Sequence, residues 1–161
     1  MVRRILKVGD ENLRKVCKPV VKFDLRLWLL LRDMAETMRK ADGVGLAAPQ
    51  VGILRRAVVI DVGDGLVELV NPEILHEEGC QGGAEGCLSV PGRRGYVERP
   101  QKVRVRAQNR RGEFFEFDAE ELFARAVCHE LDHLDGIIYL DKMDHEIFED
   151  EEEQDGKEEK R

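Results

Sequence analysis

Two histidines four residues apart, with a glutamate directly after the first, sit in one segment of the chain: His129-Glu130-Leu131-Asp132-His133. This pentapeptide constrains the fold more than any other feature. At 3.6 residues per turn, positions i and i+4 stack on one helix face, so both imidazoles reach a single ion only if the segment is helical. The flanking residues predict that helix, from Ala119 to about Leu134. Asp118 and Glu121 have the N-cap and N3 spacing of a capping box, and Gly136 suits its C-terminal stop. A chance pattern on a polar helix face is the weaker reading, because the whole chain has only 4 histidines.

The rest of the chain reads as elements that pack around such a helix. A second amphipathic helix is expected over Leu25 to Ala41, opened by Asp24 and ended by Asp42-Gly43. Its Leu27, Leu30, Leu31, Met34, Met38 and Ala41 recur at spacings of three and four. Strand-like runs follow at Arg56 to Asp61, Leu66 to Asn71, Glu73 to Glu78, Val97 to Asn109 and Phe114 to Phe117. Strict alternation in Val103-Arg104-Val105-Arg106-Ala107 gives one buried and one wet face, the signature of an antiparallel sheet. The expected fold is therefore a single α+β domain, with antiparallel β-strands packed around the central metal-binding helix and an N-terminal helix alongside.

Composition narrows the class further. In 161 residues, 42% are hydrophobic and 37% charged, and no run approaches the ~20 apolar residues of a membrane span. Charge returns too early in Met1-Val2-Arg3-Arg4-Ile5-Leu6-Lys7 for a secretory signal, so a cytoplasmic location is expected. Four scattered cysteines suit free or metal-bound thiols in a reducing compartment rather than a disulfide framework. The net charge of −7 is carried by the end of the chain. Asp144 to Arg161 holds ten acidic and three basic residues, and the body before it is neutral. Residues 1–145 are read as the catalytic domain and 146–161 as an acidic, flexible tail. Arg99, Lys102, Arg104, Arg106, Arg110 and Arg111 form the densest basic stretch, which fits either an RNA-facing surface or a solvated strand face.

A catalytic ion held by two histidines needs a third protein ligand and an open position. Downstream, His145 is the sole remaining histidine, with Asp135, Asp141, Asp144 and Glu146 as available carboxylates. The better candidate lies upstream, where glycines surround Cys87 in Glu85-Gly86-Cys87-Leu88-Ser89-Val90-Pro91-Gly92. Glu130, next to His129, can approach a water at the ion without being a ligand. Cys128 and Cys80 are read as structural.

Three segments taken in series resemble the signature motifs of peptide deformylases: Gly43-Val44-Gly45-Leu46-Ala47-Ala48-Pro49-Gln50, Glu85-Gly86-Cys87-Leu88-Ser89 and His129-Glu130-Leu131-Asp132-His133. The likeness runs from the start of the chain to about Asp141. It implies hydrolysis of the N-formyl group from the initiator methionine of nascent polypeptides, with release of formate. It also implies one divalent ion on Cys87, His129 and His133. Fe²⁺ is the expected ion, with Zn²⁺, Ni²⁺ or Co²⁺ able to take its place. Glu130 is then the general base and acid, and Gln50 with the backbone N–H of Leu88 stabilises the oxyanion.

By the same resemblance, Val44, Gly45 and Arg94 lie beside the peptide, and Leu122, Arg125 and Ala126 contribute to the methionine pocket. Arg125 departs from the apolar habit of that pocket. Its guanidinium is expected either to reach water beyond a stem laid along the wall, or to lie outside altogether. The implied partners are N-formylmethionyl peptides and nascent chains, with transient ribosome contact but no membrane and no specific DNA binding. Two rivals stand beside this reading: an endopeptidase with a downstream third ligand such as His145, and a non-catalytic metal-stabilised module.

Overall fold

The computed structural model describes residues 1–148. Helix α1 (Leu25–Lys40) begins where the sequence places it, because the Asp24 carboxylate accepts the Leu27 N–H at 3.2 Å. Its buried stripe of Leu27, Leu30, Leu31, Met34 and Met38 packs on the strand β1 (Gly45–Ala47) and the strand β2 (Ala57–Ile60). Burying such a Leu or Met side chain contributes about 1.5–3 kcal/mol. Helix α2 (Glu121–Leu134) covers the other face of the same strands. That is why β2 is apolar at every position: Ala57 and Val59 face α1, whereas Val58 and Ile60 face α2.

Four further strands complete the main framework: β3 (Val67–Glu78), β4 (Gln81–Cys87), β5 (Val90–Arg99) and β6 (Lys102–Gln108). With β7 (Phe114–Glu120) and β8 (His145–Ile147) they form two sheets, ordered β1-β2-β3-β6-β7 and β4-β5-β8. Every pairing within them is antiparallel. On β6, Val103, Val105 and Ala107 are buried and Arg104 and Arg106 exposed, as alternation requires. The three-stranded sheet has its own apolar cluster, in which Val90 and Val97 pack with Leu13, Ile138 and Tyr139. The α+β expectation holds, and no described helix is long and apolar enough to cross a membrane.

The differences from the sequence expectation have local causes. The two runs on either side of Pro72 are one strand, β3, interrupted by a bulge where Asn71 adopts φ 50°. The Asn71 side chain holds that bulge by bonding both the N–H and the C=O of Val20. Conversely, the single run from Val97 to Asn109 is two strands in different sheets, separated at Pro100 and Gln101. Asp118 is not a helix cap. It lies in β7 and pairs with Arg104 at 3.1 Å, while α2 starts at Glu121 without a side-chain cap. Strands β1, β4 and β8 have too many glycines or too few residues to read as strands from sequence.

The basic stretch is largely neutralised by carboxylates. Arg99 binds Glu85 and Asp132, Lys102 lies 3.7 Å from Glu120, and Arg110 grips Glu68. Arg106 lies over the Phe114 ring. The domain boundary drawn after residue 145 falls inside β8, where Glu146 binds Arg93 at 2.7 Å. Residues 149–161 of the acidic tail lie outside the described residues.

Two predictions test this framework. Gly136 adopts φ 75° just past α2, and a Cβ there would lie 2.5 Å from the Arg14 carbonyl oxygen. Gly136→Ala is expected to lower the unfolding free energy by about 2 kcal/mol or more, read from the urea midpoint. At the other end of the chain, Asp33 accepts bonds from the Met1 amino group, Arg3 and Arg32. The amino-group bond, then those of Arg3 and Arg32, outweigh burial and lower its carboxyl from 3.8 to about 2. Its stabilisation is complete above the unfolded value and is lost as the pH falls toward the folded one. Asp33→Asn should therefore show a shallower drop in Tm than the wild type over that acid range.

Candidate metal centre

The metal site is assembled from one helix and one strand end. On α2, His129 and His133 lie one turn apart and meet edge to face, with ring centroids 5.1 Å apart. Cys87 ends β4 and points its Sγ to within 3.3 Å of His133 Nε2. One donor atom from each of Cys87, His129 and His133 lies within 4.8 Å of the other two. His145 is not among them. It is exposed in β8, stacked on Tyr96 at 5.2 Å with Nδ1 beside Asp144. No side chain downstream of His133 joins the group among the described residues, so the third ligand that the endopeptidase alternative needs is not in place.

Four N–H donors converge on the buried carboxylate of Glu85 and fix its direction. Arg99 binds it in a two-pronged grip at 2.8 and 2.9 Å, and Arg125 adds a third bond at 2.6 Å. The fourth comes from His129 Nδ1 at 2.7 Å. Burial pushes the Glu85 carboxyl up, but Arg99 and His129 outweigh it and hold the group well below the usual carboxylate range. An ionised Glu85 accepts the Nδ1 proton and leaves the His129 Nε2 lone pair aimed at the cation position. Burial lowers both imidazoles, and the His129 charge lowers His133 further. For His129, bonds to Cys87 and Glu85 reverse the effect and raise it to about 10.

The donors fit a divalent transition ion. One thiolate and two imidazoles are borderline-to-soft ligands, and three of them leave a position open. Two buried polar atoms, Glu130 Oε2 and His133 Nδ1, have no hydrogen-bond partner among the described residues. Glu130 Oε1 lies 3.8 Å from His129 Nε2, so the carboxylate stands beside the ligand set without joining it. Burial, the main cause, raises its carboxyl to about 7. Gly45 explains how Glu130 is accommodated, because a Cβ at that glycine would lie 2.8 Å from Glu130 Oε1.

A cleft of about 670 Å³ opens over these residues. Gln50 forms part of its wall. Its Oε1 accepts the Ala47 N–H at 2.9 Å, and its Nε2 donates to Ser89 Oγ at 3.0 Å and toward Cys87 Sγ at 3.5 Å. Leu88, in the turn after Cys87, packs against Gly43, where a Cβ would lie 2.7 Å from Leu88 Cδ1. Val44 and Leu122 stand half-exposed on the rim, with Gly45 and Ala126 deeper. The Arg94 stem runs over Gly86. His133 lies behind this surface, only 1% exposed.

Arg125 follows neither sequence expectation. It lines the cleft, yet its guanidinium is turned inward onto Glu85 and the Val97 carbonyl, and the residue is only 7% exposed. Cys128 is buried, with its thiol pushed up to about 11 by desolvation, and Cys80 is exposed at the far end of β4. Sequence reasoning missed the work of Glu85, Arg99 and Tyr139. Glu85 stood inside a quoted motif, and Arg99 was counted with the basic stretch. Tyr139 stacks on His129 at 6.1 Å and donates to the Arg93 carbonyl, a role with no local sequence signal. If Glu85 sets the direction of His129, Glu85→Gln should weaken metal affinity about 10–100-fold in chelator competition.

A family model described as polypeptide deformylase matches residues 2–148. The chain is 55% identical over 153 residues to the peptide deformylase of Thermoanaerobacter pseudethanolicus, covering 95% of this chain and 96% of that one. It is 60% identical over 153 residues to that of Caldicellulosiruptor bescii, covering 95% and 92%. Among solved structures, the peptide deformylase from Thermotoga maritima superposes with a TM-score of 0.88 at 46% identity, over 89% of this chain and 98% of that one. One from Synechococcus elongatus, in complex with actinonin, gives 0.85 at 39%, over 88% and 78%. A sulfur-and-imidazole site beside a buried glutamate, in a chain alike over nearly its whole length, has one conclusion: the protein belongs to the polypeptide deformylase family.

Proposed function

We propose that the residues of this cleft divide the deformylase reaction among them, with Glu130 carrying the proton and Gln50 and Leu88 receiving the oxyanion. As a peptide deformylase, the protein removes the formyl group from an N-terminal formylmethionine. The observation that carries the assignment is the pairing of the Cys87–His129–His133 triangle with the partnerless Glu130 Oε2. A purely structural metal site has no use for a buried carboxylate beside it.

Bound at those three ligands, a divalent ion supplies Lewis acidity, lowering the pKa of a water and polarising the formyl oxygen. Glu130 takes the proton of the attacking water and returns it to the departing amine. Negative charge growing on the formyl oxygen is met by Gln50 Nε2, whose second N–H is the one directed toward Cys87, and by the Leu88 N–H. Glu85 keeps His129 in the tautomer this requires. The substrate's main chain has two strand edges to use, because β1 and β4 are each terminal in their sheets. Val44 and Gly45 flank one edge, and Arg94 lies near the other.

The methionine side chain is received by Leu122, Ala126 and the stem of Arg125. With its guanidinium spent on Glu85, Arg125 offers that pocket a largely apolar surface. On the family resemblance we assign Fe²⁺ as the cellular ion, with Zn²⁺, Ni²⁺ or Co²⁺ as substitutes that the same thiolate-imidazole set accepts. Formylated nascent chains as substrates imply cytoplasmic action and transient visits to the ribosome.

Formate release from formyl-Met-Ala-Ser tests the reaction, and an internal-bond peptide serves as the control for endopeptidase activity. Glu130→Gln is expected to retain the ion by metal analysis while turnover drops about 10²–10⁴-fold. Unchanged formate release in that variant would remove Glu130 from its assigned role.

A further inference from the structure

The oxyanion donors assigned above come from two separate segments, and one stretch near the start of the chain holds both. Leu6 N–H donates to the Gln50 carbonyl at 2.7 Å. Lys7 Nζ donates to the Leu88 carbonyl at 3.1 Å, and Val8 N–H to the Ser89 carbonyl at 2.8 Å. Three successive residues therefore grip Gln50, Leu88 and Ser89, and Gln50 Nε2 closes the circuit by donating to Ser89 Oγ.

The turn carrying Leu88 needs such support. Cys87 pairs with Val90, so Leu88 and Ser89 form a two-residue hairpin connection. The turns that match strand twist at this length require positive φ at one or both central residues, and neither Leu88 nor Ser89 has it. The β4–β5 register is also irregular between Glu85 and Cys87, next to this turn. A connection whose own geometry does not suit its strands is set from outside: Lys7 and Val8 hold its two carbonyls, Gln50 holds the Ser89 hydroxyl, and Leu6 in turn holds Gln50.

We infer that Leu6–Val8 is a brace for the oxyanion hole, with Lys7 as a positioning residue that fixes the Leu88 turn through its carbonyl. This rests on the assignment of Gln50 and the Leu88 N–H as oxyanion donors. Holding the Leu88 carbonyl sets the plane of the peptide after Leu88, and holding the Ser89 carbonyl sets the next. The Leu88 N–H belongs to the preceding peptide, which is confined between this held turn and the Cys87–Val90 pair of the ladder, so the donor is positioned before charge develops on the substrate, which is when it is worth most. Lys7 is exposed and lies at the cleft wall, so losing its amine does not open the core.

The test compares Lys7→Met, Lys7→Arg and Gln50→Ala in the iron- or nickel-loaded enzyme, with formyl-Met-Ala-Ser as substrate. Lys7→Met is expected to lower kcat about 10-fold with KM within about twofold, because the lost support acts on the transition state. Lys7→Arg, which keeps a donor, should recover most of that loss. In the metal-free protein, Lys7→Met should speed amide exchange in the 87–90 turn and leave exchange in α2 unchanged. A rise in KM at constant kcat would mean that Lys7 touches substrate instead, and the inference falls. If Gln50→Ala slows turnover while Lys7→Met does not, the oxyanion assignment stands and the brace is overturned. If Gln50→Ala has no effect on kcat, the assignment itself fails and takes the brace with it.

Discussion

The buried Glu85 carboxylate is the junction on which this structure depends. It belongs to β4, takes two bonds from Arg99 at the end of β5, and takes two more from Arg125 and His129 on α2. Arg99 also reaches Asp132 on α2 at 2.7 Å, so the small sheet is tied to the helix through an alternating chain of charges. Taking these ions out of water costs several kcal/mol for each, and mutual attraction offsets that only when every partner is present. The network is therefore poor insurance for stability alone. Its gain is directional: one sheet, one helix and one imidazole are locked into a single relative position.

Much of this could be read from the chain, because the deciding signals were local. The i, i+4 histidines, the Asp24 cap and the alternation of Val103, Val105 and Ala107 each depend on near neighbours in sequence. The metal triangle needed one long-range step, and Cys87 supplied it by standing in a glycine-rich motif. What stayed hidden was pairing between distant residues. Arg99 looked like part of a basic surface, but it is buried, and its partners lie 14 and 33 positions away. Arg125 looked like an intruder in an apolar pocket for the same reason, since the carboxylate that absorbs its charge is 40 residues upstream. Asp118 had the right spacing for a helix cap, and a cross-strand arginine claimed it first.

The glycine-rich motif is better understood from its neighbours than from its own backbone. Gly43 leaves room for the Leu88 side chain, and Gly45 leaves room for the Glu130 carboxylate. Each missing Cβ in the first motif is filled by a residue from one of the other two. Gly83 shows the same logic toward Arg125, whose Nη2 would lie 3.2 Å from an added Cβ.

The Gly45–Glu130 contact has a consequence for sequence variation. The Glu130 carboxylate fills the space that a Cβ at 45 would need, so no side chain can be gained there while a glutamate stands at 130 in this rotamer. The two positions, 85 residues apart in the chain, are coupled through that one contact. A side chain introduced at 45 therefore displaces the Glu130 carboxylate without touching position 130 itself.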